Sequence, residues 1–129
     1  MPQAIVPYLH YDDGTAALEF LAKAFGFEER MRMAMPDGSI GHAELVLGDC
    51  VLMLGAGQAL GFMSPRDLPG HHSQVLCYVD DVDAHYERAR GAGAIIAAAP
   101  EDQPHGDRTY RAVDPEGHRW IFSTPITAA

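Results

Sequence analysis

The chain has 129 residues, 47% hydrophobic and 21% charged, the composition of one globular domain large enough to bury a core without disulfide or metal staples. Its formal net charge of -9 repels a phosphate backbone and an anionic bilayer, so neither nucleic acid nor a membrane is expected as a partner. Cys50 and Cys77 stand apart in apolar surroundings, without the spacing of a redox pair or a zinc knuckle, and read as buried free thiols in a reducing compartment.

Residues 4–11 are rich in Ile, Val, Tyr and Leu and predict a strand that tolerates Pro7 at an edge or irregularity. A helix follows: Asp12 and Asp13 offer N-cap oxygens, Ala17, Phe20, Leu21, Ala24 and Phe25 recur at helical spacing, and Gly26 stands where a left-handed C-cap is wanted. Residues 27–35 alternate Met31, Met33 and Met35 against Arg30 and Arg32, a half-buried strand ending at Pro36-Asp37-Gly38. Residues 40–47 alternate again, with Ala43, Leu45 and Leu47 on one face and His42, Glu44 and Val46 on the other; Gly48-Asp49 turns the chain into a strand over 50–54.

Periodicity then disappears from about 56 to 72, a Gly-, Pro- and Ser-rich linker whose apolar Leu60, Phe62 and Met63 hint at a covering role. Residues 73–79 predict the next strand, and Asp80-Asp81 starts a helix with Val82, Tyr86 and Ala89 on one face, ended by Gly91 and Gly93. Strands over 94–98, 108–113 and 118–123 follow, separated by a polar loop at 101–106 and a turn at Asp114-Pro115-Glu116-Gly117. The chain is thus a βαβββ unit (about 1–55), a linker (about 56–72) and a second βαβββ unit (about 73–124) within one α+β domain. Setting Asp80-Asp81 on Asp12-Asp13 gives an offset of 68, which also superposes most other elements. No leader-like stretch opens the sequence and no apolar run approaches the about 18 residues of a membrane span, so a cytoplasmic location is expected.

The run from Asp102 to Arg108 followed by Asp114-Pro115-Glu116-Gly117-His118-Arg119-Trp120 resembles the closing segment of one branch of the vicinal oxygen chelate family, the glyoxalase, bleomycin-resistance and extradiol-dioxygenase group. Val6-Pro7-Tyr8-Leu9, the pairs Glu19-Phe20 and Phe25-Gly26, His42-Ala43-Glu44-Leu45 and Tyr78-Val79-Asp80-Asp81 extend the likeness over nearly the whole chain. It implies paired βαβββ modules whose mixed sheets curl into a cup, a homodimer, and in the metal-dependent members a divalent ion held by one side chain from the first and last strand of each module. The ion there acts as a Lewis acid on vicinal oxygens of the substrate.

Those four positions carried over residue by residue are Val6, Met53, Gln74 and Ile121, paired by the same offset of 68. Val and Ile offer no lone pair, a thioether suits soft metals, and one amide oxygen does not hold a divalent ion alone, so no metal or other cofactor is expected. A displaced site of His10, His42, Glu44 and His72 is the alternative, disfavoured because His10 lies about 13 Å along the strand from the level of Val6. His71-His72 send their side chains to opposite sides, and His85, His105 and His118 are expected in surface polar roles. Trp120 packs under the helices if Ile121 faces the cup.

The expected ligand-binding lining is Val6, Met53, Gln74 and Ile121 on the floor, with Tyr8, His42, Leu76, Tyr110 and Arg119 as walls, Glu44 beside His42 among them. Such a cup suits an apolar or aromatic small molecule with a few hydrogen bonds. The leading expectation is a metal-independent binding protein that sequesters such a compound, a drug for instance, as in antibiotic resistance. The rival is a lyase, isomerase or dioxygenase-like enzyme acting on an oxygenated small molecule through a displaced metal or a Glu44 and His42 base, with burial raising the Glu44 pKa toward neutrality.

Overall fold

The structure, a computed structural model, describes residues 3–126. Strand β1 (Tyr8–His10), helix α1 (Gly14–Phe25), β2 (Glu28–Ala34), β3 (Ile40–Leu47) and β4 (Cys50–Gly55) form the first module. Strand β5 (Gln74–Tyr78), helix α2 (Val82–Gly91), β6 (Ile95–Asp102), β7 (Asp107–Val113) and β8 (Arg119–Pro125) form the second. Each makes a four-stranded sheet, in the orders β1-β4-β3-β2 and β5-β8-β7-β6, with the first strand parallel to the last and the other pairs antiparallel. This is the expected α+β architecture of two βαβββ units; strand pairing does not join the two sheets into one closed cup. No helix among the described residues is long and apolar enough to cross a membrane.

The internal repeat is legible in hydrogen bonds. Asp13 caps α1 by accepting from the backbone of Ala16, and Asp81 caps α2 by accepting from Ala84, the same bond displaced by 68 residues. Tyr8 lies opposite Met53 between β1 and β4, and Leu76 opposite Ile121 between β5 and β8, again at that offset. Gly26 ends α1 at φ 80°, the left-handed conformation in which a side chain is strained.

Four elements depart from the sequence expectation. Strand β1 is short because Pro7 cannot donate; its carbonyl still accepts from Met53, while the side-chain amide of Gln3, not the backbone, pairs with both backbone groups of Val51. Strand β6 continues past Ala98 through Pro100 to Asp102, which an edge strand permits where its register is already irregular. Strand β2 is an exposed edge rather than a half-buried strand, since a register shift at Glu29–Met31 interrupts its alternation. The segment 56–72 holds two short 3-10 turns, Gln58–Leu60 and Pro65–Asp67.

One core runs through both modules. Phe25, at the end of α1, sits 4.7 Å from the ring of Phe122 and 5.3 Å from that of Trp120, so the first helix packs on the second sheet as well as on its own. Trp120 is buried under the helices as expected. The Asp114–Trp120 motif clamps the modules together. Buried Asp114 accepts from the Tyr11 hydroxyl (2.5 Å), the Trp120 indole (3.1 Å) and the backbone of Glu116 and His118. The Glu116 carboxylate accepts from the backbone N–H groups of Asp12 (2.7 Å) and Asp13 (2.9 Å), at the start of α1. Gly117, at φ 95°, is required there: a Cβ would lie 2.9 Å from the backbone nitrogen of Arg66.

Candidate functional site

On the face of the first sheet turned away from the helices, β3 places His42 and Glu44 side by side, β1 brings Tyr8 level with Met53, and the hairpin pairs Met53 with Glu44. The three polar side chains connect. The Tyr8 hydroxyl lies 2.8 Å from His42 Nδ1, His42 Nε2 lies 3.0 Å from the Glu44 carboxylate, and Arg30 from β2 donates to the other Glu44 oxygen. The hydrogen bond from His42, together with that from Arg30, holds the Glu44 carboxyl below the usual carboxylate range. This corrects the expected rise toward neutrality: Glu44 is ionised and accepts hydrogen bonds, and it is a poor proton acceptor.

An ionised carboxylate only accepts, so His42 Nε2 carries a hydrogen, and in the tautomer that carries this hydrogen alone Nδ1 accepts from the Tyr8 hydroxyl. Tyr8, 57% exposed, forms one wall of a cleft of about 300 Å³ whose other walls are Leu9, His10, Gly55, Ala56, Gly57, Leu60 and Phe62. Leu60 and Phe62 belong to the segment expected to cover a site, and both are exposed beside it. The segment is pinned at its base: Gly57 N–H donates to His10 Nδ1 (2.7 Å), and the opposite nitrogen of that ring donates to Asp12 (2.8 Å).

A second cleft, about 330 Å³, opens between the modules, with Ile5, Pro7, Cys50 and Leu52 on one side and Val75, Leu76 and Cys77 on the other above Trp120. Cys50 is exposed and Cys77 half-buried, in place of the two buried thiols expected. Burial in this apolar wall pushes the Cys77 thiol up to about 12.

Of the expected lining, Tyr8, His42 and Glu44 come together. Gln74, Leu76, Arg119 and Ile121 share the corresponding face of the second sheet, where Arg111 donates to Gln74 (3.3 Å) and Ile121 is buried between its neighbours. Val6 lies two residues before Tyr8 and is half-buried, as is Met53. Tyr110 is not a wall: it is fully buried on the helix side, against Phe122 and bonded to His85, because its strand parity is that of Ala112 and Trp120. The histidines of the displaced set do not converge, since both ring nitrogens of His10 and of His42 are already bonded within the protein. No group of three or more His, Cys, Asp or Glu gathers among the described residues, and the side chains at the four family positions do not fit a divalent ion. His85 and His118 are structural rather than superficial: His118 donates to the carbonyl of His10 (2.7 Å), and His85 bridges Phe25 and Tyr110. Sequence reasoning misses Gly55 and Arg30, which no motif or period marks, and reaches Leu60 and Phe62 only through the covering apolar trio.

Comparison with known proteins gives these features a lineage. The family model described as Glyoxalase/Bleomycin resistance protein/Dioxygenase superfamily matches residues 6–122. An uncharacterised protein of Mycobacterium bovis is 39% identical over 127 residues, covering 95% of this chain and 84% of that protein, and one of Mycobacterium tuberculosis H37Rv is likewise 39% identical, covering 95% and 75%. Among solved structures, TioX from Micromonospora sp. ML1 is 34% identical with a TM-score of 0.78, covering 96% of this chain and 99% of that one. A glyoxalase/bleomycin resistance protein/dioxygenase from Nocardioides, 23% identical with a TM-score of 0.67 and covering 100% and 87%, shares the fold.

Proposed function

This chain belongs to the Glyoxalase/Bleomycin resistance protein/Dioxygenase superfamily, and from that membership we propose that it is a metal-independent protein that binds and sequesters a small, largely apolar or aromatic compound such as a drug. The observation that carries the reading is the cleft beside Tyr8, which joins an apolar wall of Leu9, Leu60 and Phe62 to one exposed, hydrogen-bonded phenol. The side chains at the family's four metal positions support it, since Val6, Met53, Gln74 and Ile121 supply no set of donors for a divalent ion.

We read the working form as a cytoplasmic homodimer. Leu76 and Tyr78 are exposed on the face of the second sheet turned from the helices, surface that a second copy would cover, and sedimentation equilibrium tests this directly, a monomer alone overturning it. For the binding reading, a panel of aromatic compounds is screened by thermal shift on EDTA-treated protein. Stabilisation by one or more compounds in the absence of metal is expected; stabilisation that appears only after Mn, Ni, Zn or Fe is restored would overturn it.

The hydrogen bond between His42 and Glu44 favours one second reading, an enzyme of lyase, isomerase or dioxygenase type in which His42, its ring oriented by Glu44, acts on an oxygenated small molecule. Turnover of a hemithioacetal or a catechol, lost in Glu44→Ala, would establish it.

A further inference from the structure

We propose that the cleft beside Tyr8 takes a ligand bearing an acidic hydroxyl, a phenol or an enol, and that Tyr8 relays the ligand's proton to His42, so that the compound is held as its oxyanion. This deepens the binding reading above and rests on it. The direction of the hydrogen bonds selects the ligand. Glu44 only accepts, His42 donates to Glu44 through Nε2 and accepts from Tyr8 through Nδ1, and the Tyr8 oxygen is left with lone pairs and no hydrogen to offer. A ligand meeting Tyr8 must therefore donate, which excludes ethers, ketones and other pure acceptors at this point.

Among donors, an acidic O–H fits best because its proton has somewhere to go. The ligand O–H proton passes to the Tyr8 oxygen while the Tyr8 proton passes to His42 Nδ1. One O–H bond breaks on the ligand and one N–H bond forms on the imidazole. The products are a ligand oxyanion accepting from Tyr8 and an imidazolium held against the ionised Glu44. Arg30, on β2, faces Glu44 and keeps that carboxylate charged; His10, across the cleft, has both nitrogens committed to Gly57 and Asp12 and does not compete for the proton. Because the proton stays within the complex, a neutral ligand enters, and the net charge of -9 does not oppose it.

The cleft is shaped for a ring attached to that hydroxyl. Leu60 (81% exposed) and Phe62 (58% exposed) offer apolar surface to it. Gly55 keeps the approach to the phenol open, since a Cβ there would lie 3.3 Å from the Tyr8 oxygen and 2.6 Å from the carbonyl oxygen of Gly41.

The test compares 4-nitrophenol with 4-nitroanisole, identical except that methylation removes the proton, at a pH below the free phenol's own pKa. We expect 4-nitrophenol to bind about tenfold tighter and the bound form to show the yellow phenolate absorption. Tyr8→Phe should abolish both the preference and the band. His42→Gln, which still accepts from Tyr8 but takes up no proton, should abolish the band alone. Glu44→Gln should move the onset of the band to higher pH, because the imidazolium loses its counter-charge. Equal affinity for the two compounds, or a preference retained in Tyr8→Phe, overturns the relay and leaves the binding reading standing. Failure of both compounds to bind overturns both.

Discussion

Burial lowers the pKa of the His85 imidazole below its ordinary 6.5, an effect that its bond to the Phe25 carbonyl opposes and nearby Arg88 reinforces. Because that carbonyl accepts, Nε2 carries the hydrogen and Nδ1 accepts from the Tyr110 hydroxyl; protonation would reverse the second bond and turn the Tyr110 hydrogen away from the ring. The folded state therefore binds this proton less readily than the unfolded chain. The stabilisation is complete above pH 6.5 and declines as pH falls below that value toward the lower folded pKa. Urea denaturation across pH 7.5 to 5 should show this decline in the natural protein and a flatter profile in His85→Gln. At this scale the sequence told which side chains share a face but not their charge state. Sequence alone puts His42 beside Glu44 and suggests a base raised by burial, whereas Arg30, which helps His42 keep that carboxylate ionised, is brought to it only by the pairing of β2 with β3.

Helix α1 shows how local signals and distant residues share one element. Asp13 and Gly26 bound it as their positions foretell, but its last carbonyls, at Ala22 and Lys23, accept from the guanidinium of Arg88 on α2. Gly26→Ala would place a Cβ at φ 80°, 3.1 Å from that guanidinium. It should cost about 1 to 2 kcal/mol in chemical denaturation from the left-handed backbone, and most of that loss should persist in an Arg88→Ala background, because the strain does not depend on the guanidinium. Strand β3, with one buried and one open face, was readable to the residue. The edges were not, because alternation reports burial, and β2 and β6 are edge strands with irregular registers that bury little on either face.

At the level of the whole molecule, the two modules are held by the Glu116 turn as much as by the core. Its carboxylate binds the start of α1, and its carbonyl accepts from Ser64 and from the backbone of Arg66, so the first module, the linker and the second module meet at one residue. Glu116→Gln keeps the shape but gives up the charge and one acceptor. A loss of about 1 to 3 kcal/mol in stability is expected, with faster hydrogen exchange at the amides of Asp12 and Asp13, whereas unchanged exchange there would show that the turn does not join the modules. The sequence by itself determined the duplication, the order of the elements, the Asp13, Asp81 and Gly26 caps though not the Ala92 end of α2, and the family, because period, turn chemistry and a short motif are local properties that survive without neighbours. Tertiary structure alone decided that the Asp114–Trp120 motif is a clamp rather than a site. It also decided that Tyr110 faces the helices and that Tyr8, His42 and Glu44 form one hydrogen-bonded line, because those outcomes depend on strand register and on contacts between residues up to 108 positions apart.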